Sequence, residues 1–411
     1  MNFGIMTFKS YFVGLALALP LFAASAPNPD FSLPAPRFCP ELPQNLTLTS
    51  DAKLPNPFKF AASSAPIHTK ADWSCRREEI NELFQRYELG TLPPKPEAAT
   101  GTINGNTLTV DIIHANKSIS FNVTMTLPKN GTAPFPAVIG VGGISIPIPP
   151  GVATLVFNNN QIALQNDATS RGIGDFYTLF GANATASSMT AWAWAIGRII
   201  DVLENMPEET TKIDLSRLGV TGCSRNGKGA LVAGAFESRI ALTIPQESGS
   251  GGEGCWRISD WMLANGTVTQ TASEIVQENV WFSETFALYA NDVDVLPFDH
   301  HMLAGLVAPR ALFVIDNTGI DWLGPESNFG CMKTANKIFQ ALGVPDHMGF
   351  SGVGNLDHCA FPASQQPDLD AFFNKFFFGQ KTNTSIIETD GPNDLGFVDS
   401  DWIDWEVPQL A

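Results

Sequence analysis

Over residues 107–113 and 119–127 apolar and polar side chains alternate with a period of two, which predicts two antiparallel strands, each with one buried face. The run 136–141 predicts a third strand, and from there the pattern changes. Short apolar runs at 153–157, 218–221, 240–244, 311–315 and 347–351 predict strands, and helical spacing appears between them. In the segment 187–204, Trp192, Ile196, Ile199, Ile200 and Leu203 fall on one face and read as core. An earlier helix is expected over 73–89, where Ile80, Leu83, Phe84 and Tyr87 recur at helical spacing, and another over 300–307. Strands alternating with helices imply a mostly parallel sheet with helices on both faces, a three-layer α/β sandwich whose first strands are antiparallel.

The two ends carry different signals. Lys9 is the only charge in the first stretch, residues 11–24 are almost wholly apolar, and Ala24-Ser25-Ala26 has the small residues of a cleavage site. Residues 1–26 are therefore expected to be a secretory leader, the apolar run being shorter than the ~20 residues of a membrane span. Residues 27–70 are proline-rich and aperiodic, and predict an extended arm that Cys39 could staple to a catalytic domain over 71–411. The acidic tail 388–406 contains Trp402 and Trp405, so it either docks on the body or frays.

Composition narrows the class. A chain of 411 residues with 44% hydrophobic content can bury a large core as one catalytic unit. A net charge of −17 and a pI near 4.7 exclude nucleic acid and anionic membrane as partners, since both require basic surface. The 6 cysteines, together with the leader, point to an extracellular protein with disulfides, although spacing alone leaves their pairing open. Asn-x-Ser/Thr acceptors between Asn45 and Asn383, Asn122 among them, fit a secreted glycoprotein. No cluster has zinc-ligand spacing and no dinucleotide-binding glycine pattern follows the first strand, so neither metal nor cofactor is expected, and the protein is expected to act as a monomer.

The candidate chemistry centres on Gly222-Cys223-Ser224-Arg225-Asn226-Gly227-Lys228-Gly229, which follows the strand 218–221 and opens a small-residue helix. A serine on a tight strand-to-helix turn is the nucleophile elbow of α/β-hydrolases, usually written G-x-S-x-G; here the second glycine is displaced by one, to Gly227. A serine hydroxyl needs a histidine base, and the base needs an acid. In the chain order of that fold, Ser then acid then His, His358 in the loop after the last predicted strand is the base. His300 and His301 begin a helix and read as structural. Glu247 and Asp316 each end a strand downstream of the serine and both fit as the acid, Asp316 lying at the commoner position; Asp357 adjoins His358 and ranks third. Gly142-Gly143 sits where an oxyanion loop is often found, or permits a tight turn. Trp322, in a polar loop after the strand 311–315, is either a sugar platform or a core filler.

The elbow octapeptide, Gln246-Glu247-Ser248-Gly249 and Asp357-His358-Cys359 together resemble the fungal glucuronoyl esterases of carbohydrate esterase family fifteen, over nearly the whole mature chain. The resemblance implies an α/β-hydrolase fold, Ser224, Glu247 and His358 as the triad, and Arg225 as a side-chain stabiliser of the oxyanion. It makes Lys228, Gln270, Glu278 and Trp322 ligands of the sugar, with Gln270 and Glu278 placed on one helix. It also implies disulfides Cys39–Cys75, Cys223–Cys359 and Cys255–Cys331. The implied substrate is an ester between (4-O-methyl-)D-glucuronic acid of glucuronoxylan and a lignin alcohol. An esterase for acetyl or feruloyl groups, and a non-catalytic binding protein of the same fold, are the alternatives.

Overall fold

The computed structural model describes Met1, residues 33–34 and residues 39–411; the expected leader, Met1 aside, lies outside them. Ten strands form one sheet: β1 (Ala98–Asn104), β2 (Thr107–His114), β3 (Lys117–Thr126), β4 (Phe135–Val141), β5 (Ala153–Phe157), β6 (Ile213–Cys223), β7 (Leu242–Gln246), β8 (Ala311–Asp316), β9 (Met348–Gly352) and β10 (Ile387–Thr389). Their order is β1-β2-β3-β5-β4-β6-β7-β8-β9-β10. The pairs β1–β2, β2–β3 and β3–β5 are antiparallel and the remainder parallel, which is the α/β-hydrolase arrangement. Strand β4, buried along its whole length, lies near the middle, as expected for a parallel strand covered on both faces.

Register decides where chemistry can sit. Cys223 of β6 pairs with Gln246 of β7, so the residues that follow them, Ser224 and Glu247, emerge side by side at the carboxyl edge. Asp316 of β8 pairs with Gly352 of β9, which brings the loop after β9 to the same edge.

The helices that matter are α1 (Lys70–Phe84), α2 (Ser188–Glu204), α3 (Arg225–Phe236), α4 (Trp256–Ala264), α5 (Ala272–Glu278), α6 (His300–Gly305), α7 (Pro325–Ala341) and α8 (Gln366–Phe376). Alternation along β8 shows how the sheet divides them. Leu312 and Val314 join the larger core with α1, α2, α3, α6 and α7, whereas Ala311, Phe313 and Ile315 join a smaller core under α8. Phe313 stacks on Phe372 of α8 at 4.5 Å. The sandwich is lopsided: one face carries most of the helices and the other chiefly α8.

Several elements differ from the sequence expectation. Strand β1 was not expected, because an edge strand with an exposed face and the sequence Ala-Ala-Thr-Gly-Thr-Ile-Asn has no apolar alternation. Strand β10 has 3 residues at the start of the acidic tail and, among the described residues, pairs only with β9. The helix expected over 73–89 is α1, capped by a reciprocal Thr69–Asp72 box, followed by a π-helical turn at Gln85–Leu89. Helix α2 is not merely buried on one face: even Arg198 and Asp201 are buried, satisfied by a 2.8 Å ion pair.

The described part of the proline-rich arm is held by contact with the body. Leu54, Phe58 and Ile67 are buried in the main core, and Cys39 is bonded to Cys75 of α1. The tail docks upon it, with Trp405 Nε1 donating to the Leu54 carbonyl at 2.9 Å and Trp402 buried. Among the described residues no helix is long and apolar enough to cross a membrane.

Candidate active site

Ser224 stands between β6 and α3 at φ 59°, ψ −130°, a conformation that non-glycine residues rarely adopt. Neighbouring backbone holds it there: its N–H donates to the Gln246 carbonyl at 2.9 Å and its carbonyl accepts from Lys228 N–H at 3.0 Å. The displaced glycine now has a reason. A Cβ at Gly227 would stand 2.7 Å from the Gln246 carbonyl oxygen and 3.0 Å from that of Gly222, so the turn closes only with hydrogen at that position. A Cβ at Gly222 would in turn lie 2.4 Å from the Asn226 carbonyl oxygen.

Glu247, at φ 44° and 1% exposed, accepts at Oε2 from His358 Nδ1 at 2.8 Å and from the Cys359 N–H at 2.9 Å. A carboxylate accepting at Nδ1 fixes the imidazole as the Nδ1–H tautomer, leaving Nε2 as a base. Among the described residues His358 Nε2 has no hydrogen-bond partner, and His358 lines a cavity of about 350 Å³ together with Ser224. Ser224 and His358 are tethered besides, because their chain neighbours Cys223 and Cys359 are disulfide-bonded with Cα atoms 5.9 Å apart. These two sulfurs and His358 crowd together, but oxidised cysteines offer no thiolate to a metal. The other disulfides are Cys39–Cys75 and Cys255–Cys331, so all three pairs are those the resemblance implies.

The same cavity gathers Arg225, Lys228, Gln270, Glu278 and Trp322. Trp322 is 41% exposed and meets the His358 ring edge-on at 4.9 Å, so it does not fill the core. Lys228 is buried, and its Nζ donates to the carbonyls of Ser248 and Ser250, the latter at 2.7 Å, which leaves one of three donors for the cavity. Burial pulls its ammonium down to about 8 against the attraction of Glu253 and Glu278. Gln270 and Glu278 do meet, with Gln270 Nε2 donating to Glu278 Oε2 at 3.1 Å, but not along one helix. Gln270 precedes α5 and is placed by its N–H bond to the Trp322 carbonyl at 3.0 Å.

The remaining candidates stand elsewhere. Asp357 is exposed, and His300 and His301 are buried on other partners: His300 between Glu88 and the Gly252 carbonyl, His301 against the Pro55 carbonyl. Asp316 is 2% exposed and accepts from Asn328 Nδ2 at 3.2 Å rather than from His358. It lies beside buried Glu253, and burial raises both carboxyls above the ordinary range, Asp316 to about 6, with the repulsion of Asp316 adding to the rise at Glu253. Among the described groups Asp316 Oδ2 has no hydrogen-bond partner.

Sequence reasoning missed Trp281. Its ring lies 5.8 Å beneath the Arg225 guanidinium, and its indole N–H is anchored on Gln165 Oε1 at 2.8 Å. Nothing in the segment around Trp281 marks it, since its neighbours read as a loop. Among the described residues Arg225 has no carboxylate partner, so a ring face holds the cation without occupying its N–H donors.

Comparison with known proteins follows the geometry. The sequence model of a family described as "Glucuronyl esterase, fungi" matches residues 110–343. The 4-O-methyl-glucuronoyl methylesterase of Hypocrea jecorina is 56% identical over 373 residues, which cover 91% of this chain and 79% of that protein. The solved glucuronoyl esterase catalytic domain from Hypocrea jecorina superposes with a TM-score of 0.86 at 56% identity, covering 90% of this chain and 100% of that one. A serine-to-alanine mutant of the Sporotrichum thermophile glucuronoyl esterase, solved in complex with methyl 4-O-methyl-β-D-glucopyranuronate, superposes with a TM-score of 0.87 at 47% identity, covering 91% and 100%.

Proposed function

The chain belongs to the fungal glucuronoyl esterase family and is a carboxylic ester hydrolase; from that premise we propose that it cleaves esters between (4-O-methyl-)D-glucuronic acid on glucuronoxylan and lignin alcohols, through Ser224, His358 and Glu247. Ser224 Oγ attacks the uronoyl carbonyl while His358 Nε2 takes its proton. The tetrahedral oxyanion is met by the Arg225 side chain and by backbone N–H at the elbow. Collapse breaks the bond to the alcohol, which leaves with the proton from His358, and a glucuronoyl ester remains on Ser224. Water, deprotonated by the same Nε2, then attacks that ester, releases the uronic acid and restores the serine. Glu247 holds the imidazole in its working tautomer and stabilises the imidazolium that forms twice in the cycle.

The observation that carries this reading is the convergence of the Glu247–His358 pair and Ser224 on a cavity whose other walls, Lys228, Gln270, Glu278 and Trp322, suit the hydroxyls and ring of a sugar. Export is part of the same proposal, supported by the apolar leader and three disulfides. The test is hydrolysis of benzyl D-glucuronate set beside acetyl xylan and methyl ferulate, with the folded Ser224→Ala variant as control. Turnover of the glucuronate ester alone, lost by several orders of magnitude in the variant, is expected. Preference for acetyl xylan or ferulate would sink the substrate assignment, and a variant of parental activity would sink the nucleophile.

A further inference from the structure

A second cleft, of about 670 Å³, adjoins the catalytic cavity and shares Arg225 with it. Its volume is within the ~300–1,000 Å³ usual for ligand sites. Most of its lining side chains are carboxamides, and Arg225 is its only ionisable one. The amides form two layers. At the floor Asn159 and Gln165 are both bonded to Asn226, whose Oδ1 accepts from Asn159 Nδ2 at 2.9 Å and from Gln165 Nε2 at 3.4 Å. This layer is packed without slack: a Cβ at Gly142 would stand 2.7 Å from Asn159 Oδ1 and 2.8 Å from Asn226 Nδ2. At the rim Asn160 and Asn166 are exposed, and their backbone N–H groups, not their side-chain carboxamides, make hydrogen bonds within the described chain. Phe157 is 1% exposed, so the cleft presents no aromatic face.

Each carboxamide offers a donor and an acceptor on one rigid plane, and each sugar hydroxyl needs both. An uncharged surface of this kind suits a polyol. A polyanion would call for several cations, and an aromatic alcohol for ring faces to stack on. We infer that this cleft is a saccharide subsite, which takes the sugar residues attached to the uronoyl group while that group occupies the smaller cavity on the other side of Arg225. The inference rests on the glucuronoyl esterase reading and specifies how much of the substrate the enzyme grips.

The experiment varies the saccharide at constant leaving group. Benzyl D-glucuronate is compared with a benzyl ester whose uronoyl group is linked to xylotetraose, for the parent and for the double variant Asn160→Ala/Asn166→Ala. Both proteins are first treated with endoglycosidase, because Asn122 and Thr124 at the rim form an Asn-x-Thr acceptor. Loss of the two rim amides is expected to raise KM about five- to tenfold for the long ester alone, with kcat held. An unchanged KM for the long ester, or an equal loss on both esters, overturns the inference. A loss that follows the alcohol, seen when methyl replaces benzyl, assigns the cleft to the leaving group and overturns it too. If the parent hydrolyses neither ester, the functional reading has failed and the subsite falls with it; a parent active on both with an unaffected variant overturns the subsite alone.

Discussion

Glu247 and Asp316 both stand at the carboxyl ends of strands, and the hydrogen bonds separate them: Glu247 accepts from His358 Nδ1, Asp316 from Asn328. Glu247→Gln keeps the shape and removes the charge that fixes the tautomer, so kcat on a glucuronate ester is expected to fall about 10³–10⁴-fold. Asp316→Asn is expected to cost less than about tenfold, because its contacts stop short of the imidazole. Steady-state kinetics on variants with parental circular dichroism would rank the two, and the reverse order would move the acid to β8. Arg225 presents a second contrast. Arg225→Ala is expected to lower kcat by about 10²–10³ with a smaller change in KM, the cost of a side-chain donor lost from an oxyanion site. Trp281→Leu removes the ring that holds the guanidinium and should reduce kcat about tenfold, whereas Trp281→Phe keeps a ring face and should recover most of that loss. Equal losses in the two variants would mean that the anchor on Gln165, not the face, is what matters.

At the scale of elements, the site is a set of strand ends held under backbone strain. Ser224, Glu247 and Cys359 all have positive φ, at 59°, 44° and 66°, and each is over-determined by bonds to a neighbouring strand or loop. The disulfide from the end of β6 to the loop after β9 lets the base follow the nucleophile instead of drifting with its own loop. Gly227 is a point without slack, where an added methyl would meet backbone oxygens that cannot rotate away. Gly227→Ala is therefore expected to open the elbow, lower the thermal midpoint and cut kcat at least about a hundredfold, a larger effect than an alanine ordinarily has in a helix. Parental turnover in that variant would show that the turn relaxes at little cost.

For the whole molecule one electrostatic feature outside the proposed triad is the buried Glu253–Asp316 pair. Both carboxyls are raised above their unfolded values, by burial first. A group raised on folding binds its proton more tightly in the native state. Its contribution to stability is therefore complete below the unfolded carboxylate range and is lost as pH rises through the folded values, about 6 for Asp316, with Glu253 raised in the same direction. The thermal midpoint is expected to decline as pH rises from the unfolded carboxylate range through about 6, and Glu253→Gln, which mimics the protonated acid at every pH, should flatten that decline. Parallel profiles for parent and variant would show that the pair does not hold the proton. A chain of net charge −17 adds its own repulsion as pH rises, and the difference between parent and variant isolates the pair.

The sheet class was legible in the chain, and so were the elbow turn and a histidine proposed as the base, because each is written in a short window: a period of two or 3.6, small residues around a serine, a histidine in the loop after a strand. Reading the residues alone left Glu247 and Asp316 open as the acid, and the resemblance, not the periodicity, leaned to Glu247. Only the tertiary structure decided which carboxylate reaches Nδ1, since that depends on the register of β6 on β7 and on where the loop after β9 returns. The same holds for Trp281 under Arg225, for Lys228 on the Ser248 and Ser250 carbonyls, and for the arm that packs beneath the tail. Those contacts join residues far apart in the chain. Their geometry is set by crossovers and core packing, which no local pattern of apolar and polar positions encodes.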